Sequence, residues 1–598
     1  MSSPNQSKTT PLIPGIDLGT TTICAYVDKS PVMLTHGCSV YPTMLQIDNK
    51  RGWSLTTGTP PPTKWAPHVK LAKRLIGRSL TDGRLKQDVL RVPHAELGDR
   101  GAVFLVGGKV YHPEEISAFI LHQVRTQIEL EKNRSILSCV LAVPAYFHCE
   151  QRKSSIDAAR MAGFTGHVQL VDEPVAAAVD FVMNRHEELL NGSFLLVIDI
   201  GGGTTDVTLI YSDRRGEMPS FVVKATAGDN FLGGVDIDEA LIEFVKDKAG
   251  DVGYLVDEER LRQECEVKKA KFSQLHQQEV CITLHGGSPD NEPTDAMISR
   301  DEFNNVCKPI SDRVASVIDE TFLDFEMLKQ KVNYIILTGG TCYLPFIRDL
   351  CTEKLPGVAI SLLDPAESVA RGASFIASHS IDIVTVLPRS LGVEAHKQTK
   401  DDDLFMQHIA KRNMPLPNTV SHIFYTTEDN QHEVEIAIAE GEDEDINRNI
   451  LLRSITISNI PDCKKGTEVK VTLNISEPGL VEATAKIGSK QSNLTITYGN
   501  RFSEEELSDL TNQTSRRSRP ISHAGNSKAG VASNETEDGT SQVEGAGDQV
   551  HNEAATPTTD QMPLDVQVSE DPSDADTLAP TAKRQRTQAG KSSKLQKA

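Results

Sequence analysis

The sequence predicts a two-lobed α/β domain, followed by an all-β sandwich and a disordered tail. Three observations lead there. From Leu12 to about Ser378, short apolar runs alternate with long amphipathic stretches, the signature of strands interleaved with helices. A glycine-rich strand–turn–strand segment at 15–27 recurs in outline at 198–211. From Thr385 to Tyr498 the chain turns to Val, Ile and Thr in short alternating runs, and after Gln513 large apolar residues become scarce.

In chain order, Val140–Val143, Phe194–Ile198 and Tyr334–Leu337 read as buried strands, and Glu114–Lys132, Gln151–Ala162 and Glu258–Ser273 as helices. In the second domain Val434–Ile438, Val469–Leu473 and Leu494–Thr497 alternate with period two, as expected of antiparallel strands with one buried face. Ser503 followed by Glu506 reads as a capped first helical turn. The tail is rich in Ser, Thr, Asp, Glu, Gly and Pro, a composition that cannot bury enough surface to offset its ordering entropy. The expected boundaries are 12–378 for the α/β domain, 379–388 for a linker, 389–500 for the sandwich, 501–512 for a short helix and 513–598 for the tail.

A chain of 598 residues exceeds what one core can organise, and its formal net charge of −21 argues against nucleic acid as a main partner. The ten cysteines form no CxxC pair and read as reduced thiols. No apolar run reaches the roughly 20 residues of a membrane span, so no membrane partner is expected. The first residues (MSSPNQSKTTP) lack the apolar core of a secretory signal. The location expected on these grounds is cytoplasmic. The basic cluster Lys583, Arg584 and Arg586 adds nuclear import as a further reading.

The repeated segment carries the chemistry. Gly15 to Thr22 (GIDLGTTT) has an apolar run ending in Asp17, a turn through Gly19, and the hydroxyls of Thr20, Thr21 and Thr22. Ile198 to Asp206 (IDIGGGTTD) repeats this with Asp199, Gly201, Gly202, Gly203, Thr204 and Asp206. Such turns aim backbone N–H groups and hydroxyls at an anion, because glycine lets the backbone approach phosphate closely. The aspartates supply hard oxygens near a metal. Neither segment fits a Walker loop or a dinucleotide fingerprint. Two echoing copies imply two lobes facing each other across a nucleotide. A third turn, Gly339-Gly340-Thr341, follows the strand ending at Leu337, and its glycines would let the backbone pass against a flat ring.

In order, these three segments resemble the phosphate-1, phosphate-2 and adenosine motifs of the actin, hexokinase and heat-shock chaperone superfamily. The intervening segments resemble the seventy-kilodalton heat-shock (DnaK-type) family: AKRLIGR at 72–78, AVPAYF at 142–147, VDEPVAAA at 171–178, AGDNFLGGVD at 227–236, CEVKKAKFS at 265–273, SLGVE at 390–394 and AEGE at 439–442. The resemblance covers roughly residues 12 to 510 and implies an actin-like, ribonuclease H-like ATPase domain. It implies ATP or ADP with Mg2+ as cofactors. Lys73, Glu173, Asp199 and Asp206 would be catalytic, and Asp17, Asp199 and Asp206 would hold magnesium through waters. Gly19, Thr20, Thr21, Thr22, Gly201, Gly202, Gly203 and Thr204 would cradle phosphates. Glu266, Lys269, Ser273, Gly339 and Gly340 would surround the adenosine, Gly233, Gly234 and Thr341 would also bind the nucleotide, and Pro144 with Arg152 would relay nucleotide state to the second domain.

The chain departs from the family pattern in places. Tyr343 stands where an Arg is usual, Ala270 where an Arg often covers the adenine, and Ala366 replaces a common Asp. The linker HSIDIVTVLP at 379–388 lacks the family's leucine run, so the resemblance does not by itself carry interdomain coupling over. The loop 397–403 lacks the family's glycine pair, and no helical lid follows Leu510. Met406 with Val434, Ile436 and Ile438 are candidate groove residues for a peptide, with sandwich packing as the alternative for these residues. The function expected is an ATP-hydrolysing chaperone whose partners are unfolded or extended apolar peptide segments, J-domain co-chaperones and nucleotide-exchange factors. The alternative is an ATP-binding regulatory partner or nucleotide-exchange factor of another chaperone.

Overall fold

The computed structural model describes residues 11–34, 38–48, 52–55, 68–184, 191–286, 290–396, 404–431, 433–458, 463–487, 496–497 and 502–517. The loop 397–403, the basic cluster at 583–586 and nearly all of the expected tail lie outside them.

Two mixed sheets that share the order of five strands form the centre of the α/β part, beside three smaller sheets among the described residues. In the first, the order is Val168–Asp172, Cys139–Val143, Gly15–Leu18, Thr22–Val27 and Ser30–Pro31. In the second it is Ala359–Leu362, Val332–Thr338, Ser193–Ile200, Thr205–Asp213, Ser220–Asp229 and Asp382–Val384. In each, three parallel strands give way to an antiparallel hairpin, and the glycine turn of that hairpin lies at the sheet's middle. The central strands are covered on both faces, which is why Leu195, Leu196, Val197 and Ile198 form an unbroken apolar run with no exposed surface.

The helices Glu173–Asn184 and Ser368–Ser378 pack together between the sheets. Small residues make this approach possible. A Cβ on Gly372 would lie 1.8 Å from the Ala176 carbonyl oxygen, and one on Gly15 would lie 2.2 Å from the Ser374 nitrogen. Glu173 stands at the N-terminus of its helix, where the helix dipole favours a carboxylate.

The second domain is a pair of four-stranded sheets. One has the order Leu404–Ala410, Leu391–His396, Glu433–Glu440, Ile450–Ser458; the other Asn418–Tyr425, Glu468–Ile475, Val481–Ile487, Ile496–Thr497. Val469, Val471, Leu473 and Ile475 alternate into the shared core, as period two demands. Ile436 and Ile438 are buried in that core, whereas Met406 lies in a separate cluster with Ala437, Ala439 and Ile446. The four candidate groove residues therefore do not share one face, and packing is the reading the structure favours for the two isoleucines.

Two elements outside the sandwich pack on the α/β part. The linker segment Asp382–Val384 adds to the second sheet as an edge strand parallel to Ser220–Asp229, with Val386 and Leu387 buried just beyond it. The helix Glu504–Arg517 runs past the expected stop at 512. It packs through Phe502 and Leu507 against Ala118 and Met161, on the helices Pro113–Lys132 and Cys149–Met161 of the α/β part. No described helix is long and apolar enough to cross a membrane.

Candidate active site

Between the two sheets the glycine turns meet. A Cβ on Gly202 would lie 2.6 Å from Thr21 Cγ2, and one on Gly203 would lie 2.9 Å from Thr20 Cγ2. The start of helix Gly234–Ala249 closes on the same turn, since a Cβ on Gly233 would fall 2.7 Å from the Gly203 nitrogen. Gly339 has φ +83°, a left-handed conformation that suits glycine, and a Cβ there would lie 2.4 Å from the Ile200 carbonyl oxygen. Hydroxyls knit the turns together: Thr43 donates to the Thr20 carbonyl and Thr341 to the Gly201 carbonyl, each at 2.8 Å.

A cavity of about 350 Å³ opens between these turns. Asp17, Gly19, Thr20, Thr21, Thr22, Lys73, Glu173, Asp199, Gly201, Gly202, Thr204 and Gly234 line it, as do Glu266, Lys269, Ser273, Gly339, Gly340 and Thr341. Gly203, Gly233 and Asp206 stand behind this lining. Asp206 pairs with Asp199 across the hairpin and accepts a hydrogen bond from the Tyr146 amide at 2.8 Å. Val235, Asp238, Leu344, Pro365 and Val369 also line the cavity and were missed by sequence reasoning. For Asp238 a signal existed: it lies two residues past the Asp236 that ends the 227–236 motif, and it holds Lys269 at 2.8 Å. The apolar wall of Leu344, Pro365 and Val369 carried no distinguishing pattern.

The electrostatics are lopsided. Lys73 and Glu173 form a buried ion pair. Burial pushes the Asp17 carboxyl up to about 7 and Asp206 up to about 8, and repulsion from Glu173 adds to both. Burial, with Glu173, Asp206 and Asp17, holds Asp199 well above the carboxylate range. Burial works against the Lys73 cation, but Glu173 and Asp17 outweigh it, so its proton is held more tightly than usual. Asp17, Glu173 and Asp199 line the cavity with Lys73, Asp206 lies behind them, and the excess of acidic groups suits a site that takes up a cation. Among the described residues no group of three His, Cys, Asp or Glu has direct metal-ligand spacing. A small hard ion would therefore rely on water and ligand oxygens, as magnesium does. Glycine turns stripped of side chains, facing hydroxyls and amides, suit the phosphates of a nucleotide.

Comparison with known proteins bears on the same reading. The family model described as Hsp70 protein matches residues 13–597. The mitochondrial heat shock 70 kDa protein of Pisum sativum is 29% identical over 83% of this chain and 75% of its own length. The mitochondrial-type heat shock protein 70 of Encephalitozoon hellem is 31% identical, covering 83% of this chain and 86% of its own. The chaperone protein DnaK of Nitrosopumilus maritimus is 29% identical over 68% of this chain and 65% of its own. These names correct the cytoplasmic and nuclear location expected above, because relatives from plants, fungi and microsporidia are named as mitochondrial. The expectation failed because a missing secretory core says nothing about organelle import, which is read from amphipathic basic leaders. The family brings an actin-like ATPase domain with a β-sandwich, binds ATP and ADP, and binds unfolded peptides and co-chaperones. The chain belongs to the Hsp70 family and is an ATP-dependent chaperone with ATPase activity.

Proposed function

We propose that the cavity between the glycine turns is where this chaperone binds and hydrolyses ATP, and that the residues lining it divide the work. The observation that carries the reading is the meeting of the two turns at equivalent positions of two like-ordered sheets, with the buried Lys73–Glu173 pair between them. Gly19, Thr20, Thr21, Thr22, Gly201, Gly202, Gly203 and Thr204 hold the phosphates through amides and hydroxyls. Gly233 and Gly234 close on the phosphate turn, and Glu266, Lys269, Ser273, Gly339, Gly340 and Thr341 surround the adenosine. Asp17, Asp199 and Asp206 hold magnesium through its waters, and the ion neutralises charge on the phosphate oxygens. Lys73 neutralises charge developing on the transferred phosphoryl group, Glu173 fixes Lys73, and Asp199 or Asp206 orients the attacking water. Catalysis of this kind is positioning and charge stabilisation more than covalent chemistry.

The domain reading is an ATPase domain at 12–378, a linker at 379–388 and a peptide-binding-like sandwich at 389–500. Partners within it are extended apolar peptides, J-domain co-chaperones and nucleotide-exchange factors. Neither the fold nor the comparisons favour the regulatory alternative. The test is Lys73→Ala. ATP affinity should stay within about threefold of wild type while the single-turnover rate constant falls about 100-fold. Hydrolysis at the wild-type rate would rule the role out.

A further inference from the structure

The linker lacks a leucine run, so any mechanical link between sandwich and nucleotide site has to be built from other contacts. One such contact reaches the site in two steps. Arg389, directly ahead of the strand Leu391–His396, sets its guanidinium over the ring of Tyr146 at 3.9 Å from the centroid. The Tyr146 amide in turn donates to Asp206 Oδ1 at 2.8 Å. We propose that Arg389 is a positioning residue for the hydrolytic site, fixing through Tyr146 the carboxylate of Asp206; this rests on the role given to Asp206 above.

Every joint of this strut is constrained. The Tyr146 carbonyl accepts from Asn230 Nδ2 at 3.1 Å. Its ring base lies flush on Gly228, where an added Cβ would come within 2.6 Å of Tyr146 Cβ. Gly228 is the register partner of Asp206 in the adjacent strand, so Tyr146 touches that strand pair on two sides. On the other side, Arg389 is held by its neighbours. The Ser390 amide and hydroxyl donate to Glu442 at 2.7 and 2.8 Å, and the Ser390 carbonyl accepts from the Gly441 amide at 2.9 Å. Arg389 Nη1 is buried with no hydrogen-bond partner. That is a costly arrangement unless the ring face and the buried carboxylate of Glu440, which attracts the guanidinium, compensate for it. A half-buried arginine serving only solubility would not hold a guanidinium nitrogen out of solvent in this way.

Two further contacts between the domains do not involve Tyr146 directly. Arg412 pairs with Glu320 at 3.2 Å and Asp324 at 3.0 Å, and Asn413 Oδ1 accepts from the Thr226 amide at 3.1 Å. They supply an internal control, because Arg412→Ala weakens docking without touching Tyr146.

The experiment uses the full chain and two readouts. The first is hydrogen exchange at the Tyr146 amide in nucleotide-free protein; the second is single-turnover hydrolysis with equilibrium ATP binding. Arg389→Ala should speed exchange at Tyr146 about tenfold and slow hydrolysis about tenfold, with ATP affinity within about threefold. Arg389→Lys, which keeps a cation over the ring, should restore most of both, and Arg412→Ala should change neither by more than about twofold. Should Arg389→Ala not fold, Arg389→Met, of similar length without charge, takes its place. Unaltered exchange at Tyr146 in the alanine or methionine variant overturns the proposal. So does a loss of hydrolysis that Arg412→Ala reproduces, since that reports docking alone. Asp206→Asn separates this inference from the reading beneath it. Wild-type hydrolysis in that variant refutes the role of Asp206, and the inference with it. A slow Asp206→Asn beside an unaffected Arg389→Ala refutes only the link.

Discussion

At the residue scale, the end of the cavity proposed for the adenosine departs from the family pattern. Tyr343 ends the short turn Gly340–Tyr343, lines the cavity and keeps 46% of its surface exposed. Other residues lining the cavity are small or aliphatic: Ala270, Ala366, Leu344 and Val369. A slot with one aromatic wall and no arginine would hold a purine by stacking and apolar contact, which for an aromatic pair is worth about 0.5–1.5 kcal/mol beyond burial. Tyr343→Ala should therefore weaken ATP binding about three- to tenfold while the hydrolysis rate of bound ATP stays within about twofold. Equilibrium titration beside single-turnover kinetics checks it, and unchanged affinity would show that the ring does not touch the base. The glycine turns and strand-end aspartates at the cavity were legible in the sequence, because such segments have few other uses. The aliphatic wall of Leu344, Pro365 and Val369 was not legible, since its place at the cavity depends on segments brought together by folding.

At the element scale, the strands and long helices of the α/β part could be read because buried strands are apolar throughout and amphipathic helices repeat every three to four residues. The helix Glu504–Arg517 was only half legible. Its start carries a reciprocal cap, in which the Ser503 amide donates to Glu506 at 2.7 Å and the Glu506 amide donates to Ser503 Oγ at 3.1 Å. Its end was invisible because the buried residues there include Thr514, and the surface that buries it belongs to the α/β part. The same limit applies to Met406, whose alternation says it has a face but not which one is covered. Burial of Phe502 and Leu507 contributes about 1.5–3 kcal/mol for each side chain. A chain ending at residue 517 should unfold at the full-length midpoint, because the residues removed have too few large apolar side chains to build a core. A chain ending at residue 501 should lose about 2–4 °C. Calorimetry on the two truncations tests this, and equal midpoints would mean the helix contributes nothing to the α/β part.

At the scale of the whole molecule, the junction of the two domains contains groups that are ionisable near neutral pH. Burial pushes the Glu440 carboxyl up to about 7, partly opposed by Arg389 and by the Cys149 amide. Burial, with the charge of Arg389, depresses His148 to about 3. Stability tied to Glu440 is present below its unfolded pKa and is lost as pH rises through 7. The His148 contribution changes only below its ordinary value of 6.5, so above that pH Glu440 acts without it. Glu440→Gln cannot ionise and should gain about 2–4 °C on the wild type between pH 6.5 and 8. Parallel midpoint curves for the two proteins would contradict that account.

The chain is an ATP-dependent chaperone, and we propose that unfolded polypeptide is the partner to which its hydrolysis responds. The most direct test is single-turnover ATP hydrolysis by the full chain with and without a saturating unfolded peptide. The account predicts that the peptide accelerates hydrolysis by about fivefold or more, the scale of a typical coupling free energy. A rate constant that the peptide leaves unchanged would contradict it.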